Sequence, residues 1–215
     1  MYLHVCFSYT SIFIHFSFLF PFPSHSFPLF SGQLSHRIST SLGPPHTCSL
    51  ANINTPTQLT LSGTTPAVTA TIQSARSLRL ISRAIPLRVS APFHSALMAP
   101  VVAELEAVMA KIHVRPPSLA VLSGLTGEVM GGTRGVREGV ARQTAGTVGW
   151  VMVGSRMVQL HKAGRFVEMG PGGVLSGLAR QTFPQIPAQY ETEKGVYSVA
   201  NANVLAIGRW GRRKS

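Results

Sequence analysis

His94 is the residue of this chain best placed to do chemistry. It lies within Val89–Met98, between an extended segment that contains Pro92 and a stretch with helical periodicity. Pro92 biases Ala91 away from the helical region, whereas the apolar residues from Leu97 onward recur every three or four positions. A histidine at such a strand-to-helix corner is near the surface on a rigid mount, which suits a general base. An ordinary loop histidine is the alternative, because the chain has eight histidines.

The elements on either side of this histidine are predicted from periodicity. Alternation of Ile85, Leu87 and Val89 predicts a strand that leads into it. The helix that follows, over 97–112, should bury a stripe made of Leu97, Val101, Leu105, Val108 and Ile112. The other predicted elements are strands at 49–54, 58–62, 119–122 and 165–169, helices beginning at 66, 134, 148 and 174, a glycine-rich loop at 124–135, and a short element around 196–207.

The charged residues of the chain exclude several kinds of site. There are 19 basic and 7 acidic residues, for a net charge of +12, and none of the acids is an aspartate. A Ser-His-Asp triad formed by this chain alone is therefore impossible. Nucleic-acid binding is not expected, since aromatic platforms and helix-turn-helix patterns are lacking. No metal site is expected either, because His36, His46 and Cys48 lack the spacing of zinc ligands.

The first thirty residues differ from the rest of the chain. Eight of the eleven phenylalanines lie there, among serines and prolines. Three interpretations stay open: a targeting segment, a membrane-contacting segment, or translated non-coding sequence. Membrane contact is expected only if residues 1–30 are a genuine protein segment, and Pro21 and Pro23 make the apolar run short for a membrane-spanning helix.

Five blocks of sequence, in one order, resemble the motifs of malonyl-CoA:acyl carrier protein transacylases. The first resembles the Asn-x-Asn-x-Pro-x-Gln hairpin of that family, the third its histidine motif, and the last its Glu-x-Gly-Pro-Gly signature. The blocks are Leu50–Gly63, Arg83–Leu87, Val89–Met98, Val140–Gln143 with Val148–Trp150, and Phe166–Leu178. The resemblance covers roughly residues 48–182, and five blocks in order make a specific signal.

The resemblance implies a fold and a division into domains. The fold class is α/β: the C-terminal part of an α/β hydrolase-like acyltransferase domain, with an incomplete ferredoxin-like small subdomain. The small subdomain would lack its first strand and first helix, and one sheet edge would be bare. The expected divisions are an unrelated leader at 1–47, the partial ferredoxin-like subdomain at 48–89, the acyltransferase part at 90–185, and a basic, loosely ordered tail at 186–215.

The resemblance also implies roles for individual residues. His94 matches the general base, and Gln143 matches the residue whose main-chain carbonyl orients that histidine. Asn52 and Asn54 match hairpin residues whose expected task is to hold the turn, and Gly124 stands where many relatives carry an asparagine. The serine nucleophile of the family belongs to a Gly-His-Ser-Leu-Gly motif, and no Gly-x-Ser-x-Gly occurs in this sequence. The substrate-binding residues are therefore left open.

The implied function is S-malonyl transfer in fatty-acid biosynthesis, in a truncated chain that is expected to be inactive as it stands. Malonyl-CoA would be the substrate and acyl carrier protein the partner, with its phosphopantetheine thiol as acceptor and no cofactor of the enzyme itself. The alternative is a non-catalytic module that binds the carrier protein, or a pseudoenzyme. A mitochondrial location is expected, with the cytoplasm as the alternative.

Overall fold

The chain divides into two compact units, Met1–Trp150 and Val151–Ser215. The computed structural model describes residues 9–15, 26–169, 173–191 and 204–208. The first unit contains β1 (Tyr9–His15), α1 (Ser26–Leu42), β2 (Cys48–Thr55), β3 (Gln58–Thr64), α2 (Thr65–Ser77), β4 (Arg83–Leu87), a short 3-10 helix (Ala96–Met98), α3 (Ala99–Lys111), α4 (Gly132–Gln143) and β5 (Val148–Gly149). Helix α5 (Trp150–Gln159) begins at the boundary. The second unit continues with β6 (Arg165–Met169), α6 (Val174–Thr182), β7 (Ala188–Glu191) and β8 (Val204–Gly208).

A five-stranded sheet with the order β4-β1-β3-β2-β5 organises the first unit. Strands β2 and β3 form the predicted hairpin, and at its turn Thr55 Oγ1 accepts a hydrogen bond from the Thr57 amide at 3.2 Å. Strand β1 is antiparallel to both β3 and β4, with Ile12 opposite Leu61 on one side. The short strand β5 pairs with β2 in parallel. The sheet thus connects the hairpin to the segment that precedes α5.

The small subdomain has the first strand and first helix that the sequence analysis predicted to be missing. Its order β1-α1-β2-β3-α2-β4 is the β-α-β-β-α-β arrangement of ferredoxin-like folds. The prediction of an incomplete subdomain with a bare edge is therefore wrong. An unrelated leader over 1–47 is also wrong for Tyr9–His15 and Ser26–Leu42, because β1 lies between β3 and β4. The β-branched and aromatic residues of β1 suit a central strand.

The core of the first unit lies between the sheet and its helices. Leu59 and Leu61 of β3 pack with Val68 and Ile72 of α2, and Cys48 completes the buried cluster. All residues of β3 after Gln58 are buried. Strand β3 therefore has little room for larger side chains on either face.

Because Cys48 is buried, the stability of the first unit is expected to depend on pH in the alkaline range. Desolvation raises the pKa of the Cys48 thiol from about 9 to about 11, against a smaller lowering by a hydrogen bond with Thr71. Between these values the unfolded thiol loses its proton first, so the folded state binds more protons. The stability contributed by the protonated thiol is complete below about pH 9 and is lost as the pH rises toward 11.

We therefore expect the free energy of unfolding to fall more steeply above pH 9 in the parent protein than in a Cys48→Ala variant. Urea unfolding at pH 8, 9, 10 and 11 measures both slopes. Equal slopes in the two proteins would show that this thiol does not control alkaline stability.

Helix α3 does not bury the stripe that its sequence predicts. None of its residues is buried, and Val108 at 52% and Ile112 at 46% exposure face solvent. The helix is where the periodicity puts it, but the described part of the chain does not cover its apolar side. A short helix gains most of its stability from packing of such a side, so α3 is left with few stabilising contacts.

Other boundaries differ in smaller ways from the predicted ones. The predicted strand at 119–122 is a single bridge between Leu122 and Val129. The predicted loop at 124–135 ends early because α4 already begins at Gly132. In the described ranges, no helix combines the length and the apolar character needed to cross a bilayer.

The second unit is built on a parallel sheet of order β7-β6-β8. Phe166 is almost completely buried, and its ring centroid is 5.6 Å from that of Phe183. The buried Glu168 accepts a hydrogen bond from the Ser176 amide at 2.8 Å, in the first turn of α6. Strands β7 and β8 pair with β6 on either side. Strand β8 overlaps the short element predicted around 196–207, whereas β7 lies where a loosely ordered tail was predicted.

Candidate functional site

The main chain at His94 is fixed from several directions. Its φ of 61° lies in the left-handed region, which is uncommon for residues other than glycine. The His94 amide donates a hydrogen bond to the Thr144 carbonyl at 2.8 Å. On either side of it, Pro92 and Ser95 are buried, and the Ser95 hydroxyl donates to the Pro92 carbonyl at 2.6 Å. The corner predicted from the sequence is therefore a tight, closely held turn.

The imidazole ring of His94 contacts the other residue that the sequence analysis selected. Its Nδ1 lies 2.7 Å from the main-chain carbonyl oxygen of Gln143. A carbonyl oxygen can only accept, so this contact requires a proton on Nδ1. In the neutral ring Nε2 is then left with its lone pair, which is the form that a general base needs.

Helix α4 ends next to His94, so free main-chain carbonyl groups are available there to accept hydrogen bonds from it. The last carbonyls of a helix have no partner within it. After the last residue, Gln143, the amides of Ala145 and Gly146 donate to the Arg142 carbonyl. The carbonyls of Gln143 and Thr144 are taken by the ring and the amide of His94, respectively. His94 thus completes the end of α4, which in turn orients its ring.

The loop residues Ser123 and Gly124 lie beside the side chain of Gln143. The Gly149 amide donates to the Gly124 carbonyl at 2.8 Å, and the buried Ser123 donates through its amide to the Glu128 carbonyl at 2.8 Å. A Cβ built at Gly124 would lie 3.0 Å from Oε1 of Gln143. Gly124 has no role that its sequence context predicts, because a glycine offers no side-chain contact and the nearness of Gln143 depends on the fold.

The two hairpin asparagines, Asn52 and Asn54, do not belong to the hydrogen-bonded group around His94 in the described residues. Asn52 lies on β2 opposite Thr60 of β3 and Val148 of β5, and Asn54 lies next to the turn. Both are half-buried. Neither is bonded to His94 or Gln143 in the part of the chain that the structure describes.

A cavity between α3 and α4 is a different feature. It has a volume of about 540 Å³ and is lined by charged residues from both helices. Arg142 pairs with Glu106 at 3.4 Å, and Arg134 pairs with Glu138 at 2.7 Å. His94 is not among its lining residues, and most of its charge is compensated. Within the described ranges, no three His, Cys, Asp or Glu side chains are grouped to hold a metal ion.

The fold defines the class of the described residues: they have the α/β architecture of part of an acyltransferase domain. A malonyl transacylase solved in complex with its type II polyketide-synthase acyl carrier protein superposes with a TM-score of 0.73 and 23% identity, covering 86% of this chain and 55% of that one. At this identity the likeness concerns the fold.

The predicted resemblance to the malonyl-CoA:acyl carrier protein transacylases is confirmed by relatives that bear this name. The transacylase of Bacillus subtilis (strain 168) is 33% identical over 132 residues, which are 61% of this chain and 41% of the relative. The transacylase of Synechocystis is 32% identical over 139 residues, which are 64% of this chain and 45% of the relative. No family model matches the chain. The chain spans less than half the length of these curated relatives.

Proposed function

We propose that this chain supplies the histidine-bearing part of a malonyl-CoA:acyl carrier protein S-malonyltransferase, with His94 as the general base. The observation that carries the proposal is the 2.7 Å contact between His94 Nδ1 and the Gln143 carbonyl. That contact selects the tautomer whose Nε2 can accept a proton. The curated relatives add the substrate class, since they bear the name of malonyl-CoA:acyl carrier protein transacylases.

The chemistry needs a hydroxyl nucleophile close to Nε2 of His94. The serine oxygen attacks the malonyl thioester carbon while Nε2 takes the hydroxyl proton; the C–S bond then breaks, and the proton passes to the leaving thiolate of CoA. In the second half, the phosphopantetheine thiol gives its proton to Nε2 and attacks the malonyl-serine ester, which returns the serine hydroxyl. No cofactor takes part. The sequence has no Gly-x-Ser-x-Gly, so the serine must come from a segment other than those described.

The proposed partner is an acyl carrier protein. One structural neighbour was solved in complex with its carrier protein. The net charge of +12 supports an acidic partner, because opposite charges favour encounter and orientation.

A completed enzyme tests the proposal. The N-terminal part of the Bacillus subtilis relative, up to the point where its similarity to this chain begins, replaces residues 1–47, including β1 and α1. We expect this hybrid to transfer a malonyl group from malonyl-CoA to the carrier-protein thiol, measured by mass spectrometry of the carrier protein. The matched control replaces the nucleophilic serine of the added part with alanine. A folded hybrid with no more transfer than this control would refute the proposal.

The second candidate is a module that binds the carrier protein without catalysis, or a pseudoenzyme. The absence of a Gly-x-Ser-x-Gly from the sequence favours it. Saturable binding of the holo carrier protein to the unaltered chain, without any malonyl transfer by the hybrid, would support this candidate over the first.

A mitochondrial location stays part of the proposal, with the cytoplasm as the alternative. Microscopy of the chain carrying a C-terminal fluorescent protein, in cells with labelled mitochondria, distinguishes the two.

A further inference from the structure

We infer that Gly124 is a positioning residue for His94 and acts through the side chain of Gln143. The inference goes deeper into the site of the proposed function and rests on that proposal only for the catalytic meaning of the His94 tautomer. The inference rests on one observation: the side-chain amide of Gln143 lies where a side chain at position 124 would have to go.

A side chain at position 124 would require the amide group of Gln143 to move by a few tenths of an ångström. An added Cβ would lie 3.0 Å from Oε1 and 3.4 Å from Cδ of Gln143, and 3.5 Å from Cγ1 of Val148. Non-bonded carbon atoms prefer about 3.5–4.0 Å. The backbone of Gly124 is outside the left-handed region, so its conformation does not require glycine. The glycine therefore serves to leave room for Gln143.

Gly124 itself is not free to move away from a larger substituent. Its carbonyl accepts a hydrogen bond from the Gly149 amide at 2.8 Å. The preceding Ser123 is buried, and its hydroxyl oxygen accepts a hydrogen bond from the Leu125 amide at 3.2 Å. A side chain at position 124 would thus displace the more flexible partner, Gln143.

Displacement of the Gln143 side chain would act on His94 through the main chain of the same residue. Gln143 is the last residue of α4, so its carbonyl is not held by the helical hydrogen bonds. The same carbonyl makes the 2.7 Å contact with Nδ1 of His94. Since a hydrogen bond of ordinary net strength corresponds to roughly a two- to tenfold change in an equilibrium, its loss should change the ratio of the two imidazole tautomers by that factor.

Nitrogen NMR of the full chain, with ¹⁵N-labelled histidine rings and at a pH where the rings are neutral, measures this ratio. The His94 signals are assigned by their loss in His94→Gln. We expect Gly124→Val to lower the ratio of the Nδ1–H to the Nε2–H tautomer of His94 by roughly two- to tenfold, and Gly124→Ala to lower it less. Adding Gln143→Ala to either variant should restore the ratio, because alanine removes the amide group and keeps the carbonyl.

The control is Gly131→Val, since a Cβ at Gly131 meets no atom within 4 Å; it should leave the His94 ratio unchanged. Circular dichroism checks that each variant is folded, and if Gly124→Val is not, Gly124→Ala and its double variant decide. An unchanged ratio in the single variants, or a double variant as perturbed as its single variant, would overturn the inference. A His94→Gln hybrid that keeps the parent rate of malonyl transfer would instead count against the proposed function and leave this inference standing.

Discussion

Replacing His94 with glutamine is expected to lower kcat/KM of the hybrid transacylase by about 10²–10⁴-fold, the usual contribution of a positioned general base. Glutamine can still donate a hydrogen bond to the Gln143 carbonyl, but its amide cannot take a proton from a hydroxyl or a thiol. The corner would therefore keep its shape and lose its basic nitrogen. The measurement is the rate of malonyl transfer to the carrier-protein thiol at subsaturating malonyl-CoA.

The matched control is His113→Gln, because His113 is exposed and follows the end of α3. It should change kcat/KM by less than about twofold, as expected for a histidine remote from the chemistry. If His94→Gln retained the parent rate while His113→Gln lost it, the base would be assigned to the wrong histidine. Equal losses in both variants would indicate a general effect on folding.

Gly63→Ala is expected to destabilise the first unit by about 3 kcal/mol, at the upper end of overpacking effects. A Cβ at this position would collide with the Thr47 carbonyl oxygen and lie 2.9 Å from Cα of Cys48. Both are main-chain atoms, so no side-chain rotation can relieve the contact. Gly63 is opposite Cys48 in the β2–β3 register and opposite Thr10 on β1, so its strand is paired on both sides. The shift of the urea midpoint measures the loss.

The control for this substitution is Gly32→Ala, in the interior of α1. No atom lies within 4 Å of a Cβ built there, and alanine is favoured over glycine in a helix by about 1 kcal/mol. The two glycine-to-alanine changes should therefore have opposite signs. A Gly63→Ala protein as stable as the parent would mean that β2 and β3 are not as close as the structure shows.

Local sequence patterns predicted the elements that are held together by near neighbours. The β2–β3 hairpin follows from two alternating runs around Thr55–Thr57, and α2 follows from the spacing of its apolar residues. Strand β1 was not predicted as part of the sheet, because its partners β3 and β4 are far along the chain. The same holds for β7 and β8, whose common partner is β6.

At the site, the sequence could select residues but could not supply distances. The motif selected His94, and the resemblance selected the main-chain carbonyl of Gln143; the structure brings these atoms to 2.7 Å. Their catalytic roles stay predictions. The left-handed turn at His94 and the contact between Gly124 and the Gln143 amide could not be predicted, because both depend on how α4 ends beside the loop at 123–124. The periodicity correctly predicted helix α3, but the prediction that its apolar residues are buried was wrong.

The central place of β1 in the sheet has a consequence for the order of events on the ribosome. Strand β1 leaves the exit tunnel before β3 and β4, and its second partner, β4, ends at Leu87, roughly seventy residues later. At about 5–20 residues per second, synthesis of that interval takes roughly 4–15 s. Strand β3 is made within this interval, so β1 waits first for β3 on one edge and then for β4 on the other. We therefore expect newly made chains to depend on factors that shield apolar nascent segments, more than the size of the protein alone would suggest.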